Sequence, residues 1–464
     1  MSGNLFSEFE KSNKDVWRKQ AEKEIKQAVS EIMSLKRDGL DHIDPYQTAE
    51  NLDLLLLKDL QNSQKKNPAW LNIPVITIKE PWIANADIKT ALDNGAHGIY
   101  IKTSSLSIAK CEFSKVLHNV RLSENPVYFE SSENVADLFN VISKGAGYYI
   151  KGGIAHDPVA NWMRTGQSHL QCIPGIVEVF EKTKSMKEFH PLMVEGHVYH
   201  NSGANPVQEL AFIISNLVYY LDILTDAGIS PLLALNHLFF SVSVGTSHLT
   251  EIAKLRALRF LHKKIGRAYE IPGELCNAFV HACTSSFYQT GQVPYNNLVR
   301  ATLEAMSAVN GGCNALSVRP YNHGFAEPDP FADRLARNLS LLISNESYLN
   351  QVADPAAGSY FLESLSLQLA DAAWELFLIM EQKGGIVKCF EQGFIQDEIE
   401  NSWNEKLRSM ETDRVVIGVN KYVSGKPASD LNSGKLNTNG EMNSAIRTLP
   451  DRNLARHWTK KSGL

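Results

Sequence analysis

The sequence is short of the features that announce the commoner kinds of chemistry. Cysteine is sparse and scattered, at Cys111, Cys172, Cys276, Cys283, Cys313 and Cys389, with no C-x-x-C pair. That spacing indicates neither a zinc site nor a disulfide framework, and it predicts reduced, mostly buried thiols in a cytoplasmic protein. The N-terminal stretch MSGNLFSEFEKSNKDVW lacks the apolar core of a secretory signal. No apolar run approaches the ~20 residues that span a bilayer. The most apolar run, around Pro231–Val244, is interrupted by Asn236 and His237, so no membrane partner is expected. A formal net charge of −5 over 464 residues, with no strong basic patch, argues against nucleic acid as the main partner. No G-x-G-x-x-G follows a strand, and Gly418–Lys426 (GVNKYVSGK) has the wrong spacing for a phosphate loop. No repeat period marks a solenoid.

What remains is an ordinary globular composition, 44% hydrophobic and 21% charged, with a regular alternation of elements. Eight short apolar runs read as strands: Val75–Ile78, Gly98–Lys102, Val127–Glu130, Tyr148–Lys151, Leu192–Glu195, Leu238–Val242, Phe279–Cys283 and Ala315–Val318. Helical stretches lie between them at Ala86–Asn94, Leu106–Val120, Val135–Ser143, Pro206–Asp226, His248–Ile265 and Asn296–Val309. Strand–helix alternation predicts parallel β-α-β units, and eight of them predict an α/β fold of the (β/α)8 TIM-barrel type. The barrel is expected over residues 66–325. Residues 1–65 form an N-terminal helical arm for subunit contact, with a charged helix over Lys14–Leu35. Residues 326–424 form a C-terminal helical extension, with helices over Pro330–Glu346, Tyr360–Gly384 and Ile386–Met410 and a short extended segment at Val415–Tyr422. Residues 425–464 read as a polar tail with one short turn near Leu454–Trp458.

Candidate sites are few. Glu195–Gly196–His197–Val198–Tyr199–His200 falls at the C-terminal end of the fifth strand, where barrel enzymes place their chemistry. Two histidines three apart beside a glutamate can hold a metal, but the spacing is not H-E-x-x-H and no third ligand is evident. A hydrogen-bonded histidine pair is the commoner outcome. Lys151–Gly152–Gly153 reads as a tight strand-to-loop turn, and Asp157–Pro158 and Asp354–Pro355 as turn formers. Thr284–Ser285–Ser286 follows the seventh strand with no base nearby in sequence, which leaves a nucleophile without activation.

Longer motifs carry a resemblance. Gly203–Phe212 (GANPVQELAF), Glu251–Leu258 (EIAKLRAL), Pro294–Arg300 (PYNNLVR), Phe331–Asn338 (FADRLARN), Asp354–Glu363 (DPAAGSYFLE), Ala373–Leu376 (AWEL), Val416–Tyr422 (VIGVNKY) and His156–Pro158 resemble the methylmalonyl-CoA mutase family, in order and at similar spacing, over roughly residues 70–424. The arm (Phe6–Trp17, Asp44–Tyr46) resembles the start of that family's small subunits. The departures are as informative. Asn67–Trp82 (NPAWLNIPVITIKEPW) lacks the arginines and the Tyr-Ala-Gly of the family's substrate-contacting stretch. Aligned through Gly196 and Gly203–Ala204, His197 stands where the family has tyrosine, and Val198 stands where it has the catalytic histidine. Valine can neither donate a proton nor hydrogen-bond a thioester carbonyl. Phe279 takes an arginine position on the seventh strand. The family's adenosylcobalamin is held by a D-x-H-x-x-G motif that is absent from this sequence, and the chain is expected to end before any cobalamin domain.

The resemblance therefore implies the degenerate, small-subunit copy of a heterodimer. It would have no catalytic, cofactor-binding or metal residues of its own, and adenosylcobalamin and the chemistry of propionate metabolism would reside in a catalytic large subunit. Two alternatives are an acyl-CoA or effector-binding module and a mutase barrel that borrows a cobalamin domain from another chain.

Overall fold

In a computed structural model, residues 12–26, 35–103, 106–108, 110–130, 134–146, 149–326, 329–423 and 446–462 are described. Eight parallel strands form a ring. They are β1 (Leu71–Asn72 and Val75–Thr77), β2 (Ile99–Lys102), β3 (Val127–Glu130), β4 (Gly152–Ile154), β5 (Phe189–His190 and Leu192–Glu195), β6 (Leu238–Val244), β7 (Phe279–Thr284) and β8 (Ala315–Ser317). β1 and β5 each break at a proline, Pro74 and Pro191, which removes one ladder donor. The piece of β1 before Pro74 pairs with β8 and the piece after it pairs with β2. The piece of β5 before Pro191 pairs with β4 and the piece after it pairs with β6. Those two hand-overs close the barrel.

Seven of the eight strands fall where the apolar runs predict them. The fourth is displaced. Tyr148 lies outside the described residues, Tyr149–Lys151 is not strand, and the ladder runs instead through Gly152–Ile154. The glycine pair is thus not a terminal turn. A Cβ on Gly152, at φ +110°, would sit 2.1 Å from the Val127 carbonyl oxygen, and one on Gly153 would sit 2.3 Å from that of His190. Only glycine lets β4 approach both neighbours this closely, so the strand lacks the β-branched signature by which strands are found.

Alternation along the strands separates two cores. Ile99, Ile101, Val127, Phe129, Leu192, Val194, Phe240 and Val242 point outward and pack under the helices. Ile73, Tyr100, Tyr128, Ala155, Met193, Phe239 and Ala315 point inward, with Leu71, Val75 and Phe279 against them. Tyr128 lies 5.2 Å from Phe239 and 6.0 Å from Phe279 between ring centroids, and His190 lies 4.6 Å from Phe279. The lower barrel is filled by aromatic rings.

Helix Pro206–Asp226 matches its predicted span. Asn205 and Gln208 close a capping box at its start, and Pro206 follows the cap. By length and composition it could cross a membrane, contrary to the expectation that no segment could, but 78% of its apolar window is buried inside the molecule. The predicted helix Ile386–Met410 is two helices, Gly385–Glu391 and Phe394–Thr412, broken where Gly393 takes φ +82°. Over the predicted Leu106–Val120 only Phe113–Val116 is helical among the described residues.

The arm is not wholly helical. Its first helix ends at Ile25, and Leu35–Arg37 pairs with Leu40–Ile43 in an antiparallel hairpin. Asp38 and Gly39, both at positive φ, make the turn. The rest of the predicted helix, residues 27–34, lies outside the described residues. The hairpin seats on the barrel's own exterior, where Thr250 Oγ1 donates to Asp38 Oδ2 at 2.8 Å. At the other end of the chain the tail residues 424–445 also lie outside the described residues. Leu454–Ser462, expected as a short turn, is a helix whose Leu454 and Ala455 are buried.

Candidate functional site at the barrel mouth

A cavity of about 400 Å³ opens at the C-terminal ends of the strands. β2 supplies Lys102, β3 Glu130 and the loop after β4 Asp157. β5 supplies Glu195, β7 Cys283, the loop after β8 Arg319, and the end of the chain Asp451, Arg452, Asn453 and Arg456. Its charges are largely matched. Lys102 pairs with Glu130 at 3.0 Å, Arg164 contacts Glu195, and Arg452 reaches Glu400 at 2.5 Å. Arg319 instead donates to the Thr284 carbonyl at 2.9 Å and contacts His323 at 3.3 Å.

The histidine motif of β5 is pulled three ways. Glu195 faces Arg164. His197 turns into the barrel, with Nδ1 2.7 Å from Ser243 Oγ and Nε2 2.8 Å from Ser241 Oγ. Ser241 Oγ also lies 2.8 Å from His281 Nδ1, His281 Nε2 lies 2.8 Å from Ser317 Oγ, and Ser317 donates to the Ile73 carbonyl at 2.5 Å. A single hydrogen-bonded chain thus crosses from the short helix His197–Ser202 after β5 through β6, β7 and β8 to β1. Burial, with Arg319 next in importance, holds both imidazoles neutral, His197 well below its ordinary range and His281 at about 3. Both ring nitrogens of each histidine are thus within hydrogen-bond distance of a serine hydroxyl, and neither is left over to ligate a metal. Among the described residues no group of three or more His, Cys, Asp or Glu side chains is arranged to hold a metal ion.

His200 points away from the mouth. Its Nδ1 is 2.8 Å from Glu209 Oε1 and its Nε2 is 2.8 Å from Ser285 Oγ. The serine run after β7 therefore does meet a base, 85 residues away in sequence. This order of nucleophile, base and orienting acid is the geometry of acyl transfer, but Ser285 is fully buried and Phe287 and Tyr288 stand edge-on over His200. Lys254 reaches Glu209 at 2.7 Å and Glu251 at 2.7 Å, and Ser285 N donates to Glu304 at 3.0 Å. Without a route for a substrate, the arrangement works as a polar bolt between the barrel and its outer helices.

Val198 and Phe279 occupy neither the mouth nor each other's neighbourhood. Val198 is packed into the outer core at 1% exposure, one residue from the inward-turned His197. Phe279 lies at the start of β7, in the aromatic fill. Of the Asn67–Trp82 stretch, Val75 reaches the cavity wall, while Trp70 is buried and donates to Ser340 Oγ at 3.0 Å. Asp157 caps helix Pro158–Thr165 through the Ala160 amide. It also accepts from Tyr220 Oη at 2.5 Å, the Glu195 amide at 2.7 Å and Asn216 Nδ2 at 2.8 Å. Burial raises its carboxyl to about 6 against donors that favour the charged form. Asp354 grips the fully buried Arg256 with both oxygens, at 2.8 and 2.9 Å. Cys172, Cys276, Cys283, Cys313 and Cys389 form no disulfide.

A closed eight-stranded parallel barrel with a cavity at the strand C-termini defines a protein of the (β/α)8 class. Within that class, the chain belongs to the methylmalonyl-CoA mutase family, whose family model matches residues 87–460. It is 30% identical over 354 residues to the methylmalonyl-CoA mutase small subunit of Streptomyces virginiae, covering 74% of this chain and 57% of that protein. It is 26% identical over 450 residues to the small subunit of Porphyromonas gingivalis, covering 90% of this chain and 71% of that one. The large subunit of P. gingivalis is 32% identical over 250 residues, covering 53% of this chain and 35% of the large subunit. The chain thus spans just over half the length of the S. virginiae relative.

Proposed function

We propose that this chain is a non-catalytic, structural subunit of an adenosylcobalamin-dependent methylmalonyl-CoA mutase. The interconversion of methylmalonyl-CoA and succinyl-CoA is carried by a large partner subunit, which holds the cofactor, and the pair works in the cytoplasm. The observation that carries this reading is the filled barrel. Tyr128, Phe239 and Phe279 meet across the axis, where they stand in the way of an acyl-CoA arm running along it. The substituted position 198 adds to it, because a core valine offers no acid or base. The names of the relatives, which include a small and a large subunit from one organism, support a heterodimeric partner.

The test is reconstitution. The chain alone, supplied with adenosylcobalamin and methylmalonyl-CoA, is expected to form no succinyl-CoA. With a large subunit encoded in the same genome it is expected to co-elute as one complex and to raise that subunit's activity or half-life. Turnover by the isolated chain, or failure to form a complex, would sink the proposal.

A second reading rests on the 400 Å³ cavity that survives above the aromatic fill. It is large enough for a small effector. Calorimetry separates it from the first: heat on titration with CoA esters or small organic acids favours an effector site, and silence at millimolar ligand removes it.

A further inference from the structure

One side of the mouth is covered by the chain's own last described segment. Leu449 N donates to the Met163 carbonyl at 2.8 Å, Arg452 N to that of Asn201 at 2.8 Å, and Leu454 N to that of Phe287 at 2.9 Å. Three backbone bonds therefore tie residues 449–454 to the regions following β4, β5 and β7. Asn453 caps the terminal helix through the Arg456 amide, and its Nδ2 donates to the carbonyls of Ser286 at 2.8 Å and Gln289 at 3.0 Å. Leu454 and Ala455 complete a small cluster with Phe287, Tyr288 and Trp403 that is separate from the main core. Asp451, Arg452, Asn453 and Arg456 form one wall of the cavity whose other walls include Cys283 and His197.

We propose that residues 446–462 are a cis-acting cover over one side of the barrel mouth, which lifts to widen the way to the cavity floor at Cys283 for a ligand or a residue of another chain. Leu449 is buried in the main core, but among the described residues the segment joins no ladder of the barrel, and at the mouth it is held by Leu454, Ala455 and the hydrogen bonds above. Segments attached in this way open at a lower free energy than the core does. The inference does not depend on the mutase reading, since it concerns access to the cavity and not its occupant.

Cys283 reports on it. This thiol lines the cavity and is buried, Cys313 is buried in the main core, and Cys276 is half-exposed on the outside. Pulse alkylation of the full chain with N-ethylmaleimide, read by peptide mass analysis, gives each rate separately. In the wild type Cys283 is expected to react as slowly as Cys313. In Asn453→Ala/Leu454→Asp it is expected to react at least tenfold faster, with Cys313 unchanged and Cys276 constant. Equal Cys283 rates in the two proteins would overturn the proposal. If the double variant does not fold, seen as Cys313 reacting too, Asn453→Ala decides alone. A raised Cys283 rate with Cys313 silent upholds the cover, and an unchanged rate overturns it.

Discussion

Neighbouring residues in this chain have unrelated jobs. His197 turns inward to two serines and Val198 turns outward into the core, while His200, one helical turn on from His197, bolts the outer helices. The weakest point of the inward chain is Ser241, which sits between two neutral imidazoles. Ser241→Ala leaves a ring nitrogen of His197 and one of His281 buried without a partner. It is expected to cost about 1–3 kcal/mol, measured by urea unfolding. A loss indistinguishable from zero would mean that water replaces the hydroxyl. Gly152→Ala probes the glycine strand. Its methyl group would overlap the Val127 carbonyl at a φ hostile to L-residues, so a loss of about 2 kcal/mol or more is expected, seen as a lowered thermal midpoint.

At the scale of elements, two buried contacts join the barrel to its surroundings. Arg256, on helix His248–Ala268, binds Asp354 in the loop before helix Tyr360–Gln382 and Glu363 within that helix, the latter at 2.9 Å. Arg256→Met leaves Glu363 buried and uncompensated. About 3–5 kcal/mol should be lost, and an Arg256→Met chain as stable as wild type in denaturant would refute the tie. Glu304, on helix Pro294–Asn310, sits behind β7, where burial raises its carboxyl from 4.5 to about 8. Between those values the unfolded chain has released this proton and the folded chain keeps it. Glu304 therefore contributes stability in full below about pH 4.5, and that contribution is lost as pH rises towards 8. Glu251, facing the same network, is raised too and shares the slope. Glu304→Gln should flatten the fall in stability between pH 5 and pH 8 in urea titrations, and an unchanged slope would assign the proton elsewhere.

For the whole molecule, the motifs that carry the family resemblance interlock. Arg256 of EIAKLRAL meets Asp354 and Glu363 of DPAAGSYFLE, and Lys254 of the same motif meets Glu209 of GANPVQELAF. Arg300 of PYNNLVR donates to the Ile417 carbonyl of VIGVNKY at 2.6 Å. Each of these contacts holds the frame, which explains how a family resemblance runs through a chain whose barrel axis is filled. The fill should behave as a true core. Phe239→Ala removes a ring packed against Tyr128 and Phe279 and should cost about 3–5 kcal/mol in denaturant. A cost near zero would mean that the axis is already open in solution.

Seven strands and most long helices were legible because period and length are local signals. Strand β4 was hidden because its two glycines answer to contacts with Val127 and His190, far away in sequence. The alternation in Leu238–Val244 (LFFSVSV) does separate Phe239, Ser241 and Ser243 from Leu238, Phe240 and Val242. Both faces of a barrel strand are covered, however, so the pattern alone does not say which set faces the axis.

By itself, then, the sequence determined the frame: eight β-α units, their order, and the motifs that mark the family. Only the tertiary structure decided what the frame encloses. It filled the axis with rings from β3, β6 and β7, gave Ser285 a base from 85 residues away only to bury both, and laid residues 449–454 along one side of the mouth. The physical reason is that periodicity is written within one element, whereas enclosure depends on which side chains from distant elements compete for the same space.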